Sequence, residues 1–363
     1  MIAHWNTAVQ TCRARYGFRG PCVVGTSFHK KASQVFAELT SRGQVGSGKA
    51  RSLCVCCRKY ACNCITRRRR TGTVHSWVYY DAHGLSIKDM RVINRLDHIR
   101  MPPAYTDVRL NADEQARLQG TGRDKNGKWQ YRYSRAHSAH VRNKKFVRMR
   151  RFIAQLPSIR SKYKKLMHSD VKVSTQRAAL ALALIDNCSL RPGSPDYVRQ
   201  NKTYGGSTLR QRHLRQSGPT KHVVVFSGKR GKETTCVVHK NTHPVAYAAL
   251  GRLLRPVRSL STPEAVNQLL PTGFTAKDFR TYGANVAFVR AACRDPDAPV
   301  STYVEASAQK LNNTPAVCKK NYVDPALYAW GAVKPLSFPT TTPGRPATCT
   351  QAEALLRRIL NDI

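Results

Sequence analysis

The stretch Leu311 to Pro325, L-N-N-T-P-A-V-C-K-K-N-Y-V-D-P, sets a tyrosine, Tyr322, beside two lysines, Lys319 and Lys320. A phenol attacks phosphorus poorly until the charge that builds on the phosphoryl oxygens is neutralised. Arginine does this best, because its planar fork donates to two oxygens at once. A lysine suits the departing oxygen, since an alkoxide leaving group must be protonated as the P–O bond breaks. The sequence supplies both types in quantity, 62 Lys and Arg in all. It shows no carboxylate cluster for Mg²⁺, no G-x-x-x-x-G-K-[ST] phosphate loop and no zincin helix. The chemistry that fits these residues is a transesterification without metal or nucleotide. The bond energy is kept in a protein–phosphate ester, so no ATP is required. The alternative at this point is a core tyrosine on a basic surface helix.

The elements that must position these side chains can be read locally. Thr314-Pro315 marks a helix start, with Thr314 as N-cap and Pro315 where its missing N–H costs nothing. Pro325 ends that helix by about Asp324, which puts Tyr322 in the last turn. Ser174 to Cys188 is made of good helix formers behind a serine cap, and it ends at S-L-R-P-G, placing Arg191 in the following turn. Two strands, His222–Phe226 and Thr234–His239, flank Ser227 to Lys232, so Lys229 sits at a hairpin tip. Thr275-Ala-Lys-Asp278 resembles a capping box with Asp for Glu, and Arg280 falls in the first turn of the helix behind it. Ser301 to Leu311 is another helix, with Val304, Ala308 and Leu311 on one face. Upstream, Lys144 to Leu156 is a basic helix with an apolar stripe. Before it lie two hairpins, His75–Ile87 and Leu118–Tyr133, the second turning at Asn126-Gly127. Its return strand alternates Trp129, Tyr131 and Tyr133 with Lys128, Gln130 and Arg132, a ribbon able to lie along a nucleic-acid groove or simply a sheet with one aromatic face.

The 363 residues include 62 Lys and Arg against 20 Asp and Glu, a formal net charge of +42. The excess is spread along most of the chain, and such a field favours a polyanion, nucleic acid first. No long apolar span or anchor points to a membrane, and the first residues lack the regions of a secretory signal. Of the 12 cysteines, five crowd into Cys54, Cys56, Cys57, Cys62 and Cys64. The rest are scattered, which reads as a reducing compartment. Cys54, Cys57, Cys62 and Cys64 are weak zinc candidates, since the loops between them are tight for one tetrahedral site. Residues 1–73, ending in Arg67–Arg70, read as a disordered basic extension, and a chain starting near Val74 is expected to fold. Leu336 to Thr350 is a Pro- and Thr-rich linker, and 351–363 a terminal amphipathic helix.

From about Trp77 onwards the sequence resembles the small type IB DNA topoisomerases of bacteria and large DNA viruses, poxviruses included. The resemblance rests on P-P-A-Y-T-D-V at 102–108, G-R-D-K-N-G-K-W-Q-Y-R-Y at 122–133, R-P-G-S-P-D-Y at 191–197 and N-K-T-Y-G at 201–205. Gly228-Lys229, K-D-F-R-T-Y-G-A-N at 277–285 and N-N-T-P-A-V-C-K-K-N-Y at 312–322 follow in the family's order. It implies an α+β fold: a small antiparallel β-rich domain at 74–136 and a mainly helical catalytic domain at 137–363, closing as a clamp on supercoiled duplex DNA. It implies that Tyr322 forms a 3′-phosphotyrosyl bond and that Arg191 and Arg280 serve the non-bridging oxygens. Lys229 would then be the general acid for the 5′ oxygen, and Gln130, Tyr131 and Tyr197 would touch DNA. Asn313 stands where poxviral and nuclear enzymes carry histidine; an amide donates but carries no charge. Ser194 replaces a poxviral lysine, so no poxviral site preference is carried over.

The resemblance further implies a monomer without cofactor, located in the cytoplasm at the nucleoid of a bacterium, or in a virion, viral factory or nucleus. A tyrosine recombinase shares this chemistry but usually shows H-x-x-R where this chain has Lys277-Asp-Phe-Arg280. A non-catalytic DNA-binding protein would fit the charge yet leave the combination of Arg191, Lys229, Arg280 and Tyr322 unexplained.

Overall fold

The computed structural model describes residues 64–69, 77–168, 170–254, 259–333 and 349–362. They divide into two compact units, 1–141 and 142–363. No helix among the described residues is long and apolar enough to cross a membrane.

Among the described residues before Arg135, the first unit is an antiparallel sheet with one helix. Strands β1 (Ile65–Arg69) and β2 (Trp77–Tyr80) precede helix α1 (Met90–His98), and β3 (Thr106–Leu110), β4 (Leu118–Arg123) and β5 (Trp129–Tyr133) follow it. The strand order is β2-β1-β3-β4-β5. Ile65, Tyr79, Leu96, Met101, Val108 and Leu110 form its core. The β4–β5 turn forms as its Asn-Gly foretells. Gly127 adopts φ +71°, and the Asp124 carboxylate accepts from the amides of Asn126 and Lys128 at 2.9 and 3.1 Å. That positive φ is the conformation glycine tolerates and side chains resist.

The arginine run corrects the reading of 1–73 as an extension outside the fold. Ile65–Arg69 is an internal strand, pairing with β2 from Thr66↔Tyr80 to Arg69↔Trp77 and with β3 at Ile65↔Leu110 and Thr66↔Arg109. Arg67 lies over the Trp77 ring at 3.9 Å and donates to the Met101 carbonyl at 2.8 Å. Charge masked the strand: the guanidiniums of Arg67 and Arg68 lie over the Trp77 and Tyr80 rings, and that of Arg67 also reaches a carbonyl. The first hairpin also differs, since β2 meets the segment after its turn only at the Tyr80–Ser86 bridge and takes β1 as its main partner. Cys64, next to β1, is buried and disulfide-bonded, so its sulfur is not a thiolate zinc ligand in this structure. Cys54, Cys57 and Cys62 lie outside the described residues.

The second unit is mostly helical. Helix α2 (Arg135–His168) contains the division between the units and passes through Pro157. The sequence suggests an end before that proline. Burial of Ile159, Tyr163 and Met167 beyond it, on the same apolar face as Phe146, Phe152 and Leu156, outweighs the roughly 3 kcal/mol cost of an internal proline. Helix α3 (Val173–Cys188) is apolar almost all round and runs through the core, capped by Lys172 and not by Ser174. Short helix α4 (Pro195–Asn201), strands β6 (Leu214–Ser217), β7 (Lys221–Ser227) and β8 (Glu233–His239), and helices α5 (Pro244–Leu253) and α6 (Pro263–Gln268) follow. Then come α7 (Asp278–Arg294), α8 (Val300–Leu311), α9 (Pro315–Asn321), α10 (Pro325–Val333) and α11 (Cys349–Asp362). The β7–β8 ladder is in register from Lys221↔His239 to Ser227↔Glu233. A disulfide that the spacing does not announce joins Cys188, at the end of α3, to Cys236 on β8.

Because β1 lies between β2 and β3, deleting residues 1–73 removes an internal strand. A chain beginning at Val74 should lose cooperative unfolding of the first unit and be cut there by low trypsin. One beginning at Ala61 should unfold cooperatively and resist that cleavage. A melting temperature for the Val74 chain within about 2 °C of the full chain would show β1 to be dispensable.

Candidate active site

The site is assembled at the ends of four elements of the second unit. Arg191 follows α3 on a turn whose backbone is clamped from outside. Its carbonyl accepts from Gly206 N–H, and the Pro192 carbonyl from Ser207 N–H, both at 2.8 Å. The approach is close enough that a Cβ on Gly205 would stand 2.4 Å from the Arg191 carbonyl oxygen. Lys229 is exposed on the loop between β7 and β8, as the hairpin reading requires. That hairpin is tied down near its loop: Asn312, in the left-handed cap of α8, donates to the Glu233 carbonyl at 2.7 Å. The Cys188–Cys236 disulfide fastens it a second time to the segment that leads to Arg191.

Arg280 lies in the first turn of α7 and is only 4% exposed. Its guanidinium donates to the carbonyls of Ser189 and, at 2.9 Å, Leu311, the ends of α3 and α8. Burial, followed by the neighbouring Arg191 cation, pushes it below its ordinary pKa, while Tyr322 opposes the shift. It remains charged at any working pH. The start of α7 is braced behind it. Asp278 accepts from the Thr275 amide at 2.8 Å and from the Thr275 hydroxyl at 3.1 Å, and it pairs with Arg148 of α2 at 2.7 Å.

Tyr322 caps the C-terminus of α9, its N–H bonded to the Cys318 carbonyl at 2.8 Å, and Thr314 caps the N-terminus as expected. The Arg280 Cζ stands 5.7 Å from the Tyr322 ring centroid. Arg191 donates to Asn313 Oδ1 at 2.9 Å. One cavity is lined by Ser189, Arg191, Lys229, Arg280, Leu311 and Asn312. The fold thus brings together Arg191, Lys229 and Arg280, and through them Tyr322 and Asn313, across about 130 residues of sequence. Among the described residues, two buried donors in this cluster, Arg280 Nε and Asn313 Nδ2, have no acceptor in hydrogen-bond geometry. Unpaired buried donors beside converging cations suit an anionic oxygen. Tyr197 is exposed on α4, behind its Ser194 cap. In the first unit Tyr131 is exposed on β5, and Gln130 is held by Asp124 at 2.8 Å.

One residue essential to this geometry carries no chemical signature of its own. Asn285, fully buried on α7, donates to the Tyr322 carbonyl at 2.8 Å and accepts from the Asp324 amide at 2.9 Å. It fixes the backbone on both sides of Val323 to the helix that carries Arg280. The usable signal is its spacing: five residues after Arg280 is far enough along α7 to reach a different segment.

Comparison with known proteins agrees with this architecture. Residues 136–322 match the family model for the catalytic core of eukaryotic DNA topoisomerase I, and residues 76–124 match that for the N-terminal domain of bacterial DNA topoisomerase IB. A mimivirus DNA topoisomerase 1B is 29% identical over 286 residues, covering 70% of this chain and 84% of the viral one. The vaccinia virus DNA topoisomerase 1B (strain Copenhagen) is 25% identical over 259 residues, covering 63% and 78%. An Arabidopsis thaliana DNA topoisomerase 1 beta is 27% identical over 180 residues, 46% of this chain and 19% of the plant protein. A sheet unit followed by a helical unit with a cationic cavity is, on these matches, a DNA topoisomerase, an isomerase acting on DNA. With just over half of its length inside the catalytic-core model, the chain belongs to the type IB topoisomerase family. The N-terminal match argues against the recombinase alternative, and the enzyme match against a purely DNA-binding role.

Replacing Asn285 by Ala leaves a backbone carbonyl and a backbone amide without partners inside the protein. Stability should fall by about 1–3 kcal/mol. DNA relaxation should slow by at least roughly tenfold as the segment around Tyr322 loses its fixed position, with DNA affinity unchanged. Thermal unfolding and plasmid relaxation measure the two effects.

Proposed function

We propose that the protein relaxes supercoiled duplex DNA by nicking one strand, letting the duplex swivel and resealing it, without ATP or metal. Tyr322 attacks the scissile phosphorus and forms a 3′-phosphotyrosyl bond. The P–O5′ bond breaks, and Lys229 protonates the departing 5′ oxygen. Arg191 and Arg280 hold the non-bridging oxygens as charge builds, with the Asn313 amide as a neutral further donor. Religation is the reverse, with the 5′-hydroxyl as nucleophile. The observation that carries this reading is the cavity in which Arg191, Lys229 and Arg280 meet, with Arg280 against the Tyr322 ring and Arg191 on Asn313.

Arginine and lysine divide the work by shape. The two guanidiniums offer paired donors and never deprotonate, which suits charge on oxygens that stay attached to phosphorus. Lys229 sits on an exposed hairpin loop, and an ammonium there can both give and recover a proton. Tyr131 and Tyr197, exposed, and Gln130 are proposed DNA contacts. The protein acts as a monomer, wherever its DNA lies: at the nucleoid in a bacterium, or in a virion, viral factory or nucleus.

The direct experiment is relaxation of a supercoiled plasmid in EDTA without ATP. Tyr322→Phe removes only the nucleophilic oxygen and leaves the basic surface intact. Duplex binding should persist and the SDS-stable protein–DNA band should vanish; a band from the phenylalanine variant would sink the assignment.

A second experiment separates acid from charge stabiliser. Lys229→Ala should slow cleavage by roughly 10²–10⁴-fold. A substrate with sulfur in place of the scissile 5′ oxygen leaves readily as thiolate, a thiol titrating near ~8.5, and hardly needs an acid. Lys229→Ala should cleave it at close to the wild-type rate, while Arg280→Ala stays slow. Equal rescue of both variants, or of neither, would mean that the two roles are wrongly assigned.

A further inference from the structure

Lys145 belongs to none of the motifs above, yet its ammonium stands 5.0 Å from the centroid of the Tyr322 ring. It projects from α2, is half-buried, and also lies 5.0 Å from the Phe146 ring centroid. Its contacts are these two aromatic faces: it makes no hydrogen bond or ion pair with any described residue. The Tyr322 ring therefore has two cations against it, Lys145 from α2 and Arg280 from α7.

A half-buried ammonium without a carboxylate partner is costly to keep. Nearby acids do not bond to it. Asp278, on α7, is engaged by Arg148 and Thr275. Asp324, just past Tyr322, is buried and accepts from the Ala326 amide at 3.0 Å. On α9, Cys318 is a buried thiol that burial pushes above its ordinary pKa, so it offers no charge. Burial, with Arg148 one turn along α2, lowers the Lys145 ammonium to about 8, against the opposing pull of Asp278, Asp324 and Cys318. It is still mainly protonated at neutral pH, and a phosphodiester arriving beside it would favour the charged form further. The arrangement places a cation against a phenol that must shed its proton when it attacks.

We propose that Lys145 is a positioning residue for Tyr322: its ammonium holds the phenol ring and stabilises the negative charge that develops on it as the O–H bond is given up. The inference rests on Tyr322 as the nucleophile. No bond forms to Lys145, and the phenolic proton leaves to solvent. The cation acts through the tyrosine, so binding of the duplex is left to other residues.

The test is single-turnover cleavage between pH 6 and 10 of the 5′-thio substrate, whose thiolate leaving group hardly needs an acid. Wild type, Lys145→Met and Lys145→Arg are compared, with duplex affinity measured alongside. Lys145→Met should cleave roughly 10–100-fold more slowly at neutral pH, with affinity within about threefold. Lys145→Arg should recover most of the rate. In wild type the assistance is present below the lysine's pKa and is lost as pH rises through it, at about 8 or above; a guanidinium does not titrate there, so Lys145→Arg should not show that loss. Should Lys145→Met fail to fold, the arginine profile still decides. A methionine variant as fast as wild type overturns the proposal. So does a rate loss matched by lost affinity, which would make Lys145 a phosphate-gripping cation, or an arginine variant with the wild-type alkaline loss. A covalent adduct from Tyr322→Phe would instead overturn the underlying nucleophile assignment.

Discussion

The burial of Arg280 is the constraint on which the rest of the site depends. A guanidinium removed from water, with Arg191 as a like charge beside it, is stable only if fixed dipoles replace its hydration. Two carbonyls supply them, those of Ser189 at the end of α3 and Leu311 at the end of α8. Helix C-termini carry unpaired carbonyls and partial negative charge, so both ends are suited to a cation. Left-handed residues, Ser189 at φ 51° and Asn312 at φ 50°, terminate these helices beside it. The turn to Arg191 begins at one of those ends, and the turn to Asn313 begins at the other. One buried side chain therefore sets where the neighbouring donors start.

From that anchor the remaining geometry follows through short links. Asn312 continues from α8 to grip β8 through the Glu233 carbonyl, which limits where the Lys229 loop can lie. Asn285, further along α7, carries the same rigid helix to the backbone around Tyr322. Gly283, between them, admits Ser189 so closely that a Cβ would stand 2.2 Å from its hydroxyl oxygen. The run R-T-Y-G-A-N thus reads as one device: a cation, a close contact and a backbone clamp within six residues of one helix. Rigid elements position such groups better than loops do. Lys229, exposed on the β7–β8 loop, is the exception.

Much of this was legible in the sequence, and the failures have physical causes. Thr314-Pro315 gave the start of α9, Asn126-Gly127 gave the β4–β5 turn, and S-L-R-P-G marked the end of α3, because caps and turns are set by a few adjacent residues. Arg67–Arg69 hid β1, because a charged run satisfies polarity rules for a loop while the guanidiniums of Arg67 and Arg68 lie over Trp77 and Tyr80. Pro157 hid the length of α2, because its cost is local and the burial that repays it is tertiary. The Cys188–Cys236 pair spans 48 residues and follows from the packing of α3 on β8. The contacts of Lys145 and Asn285 with Tyr322 were not legible, since each reaches it from a distant segment; Asn285 stood in a recognised run, but nothing in the run says what it holds.

Charge is distributed so that the site keeps its cations unpaired while its acids are engaged elsewhere. With 20 acidic residues against 62 basic ones, most basic groups must go without a carboxylate partner of their own. The deeply placed carboxylates are spent on scaffold. Asp186 and Glu353 both hold Arg160, joining α3 and α11 to α2, and Asp278 holds Arg148 behind the start of α7. None of those acids lines the cavity of Arg191, Lys229 and Arg280. A surplus of this size destabilises a compact chain through self-repulsion and gathers counterions from solution. Duplex DNA relieves both effects at once, since each neutralised phosphate releases condensed ions and screens neighbouring cations. The charge that makes the free protein costly is the same charge that makes its polyanionic substrate bind, and binding to the folded state returns part of that stability.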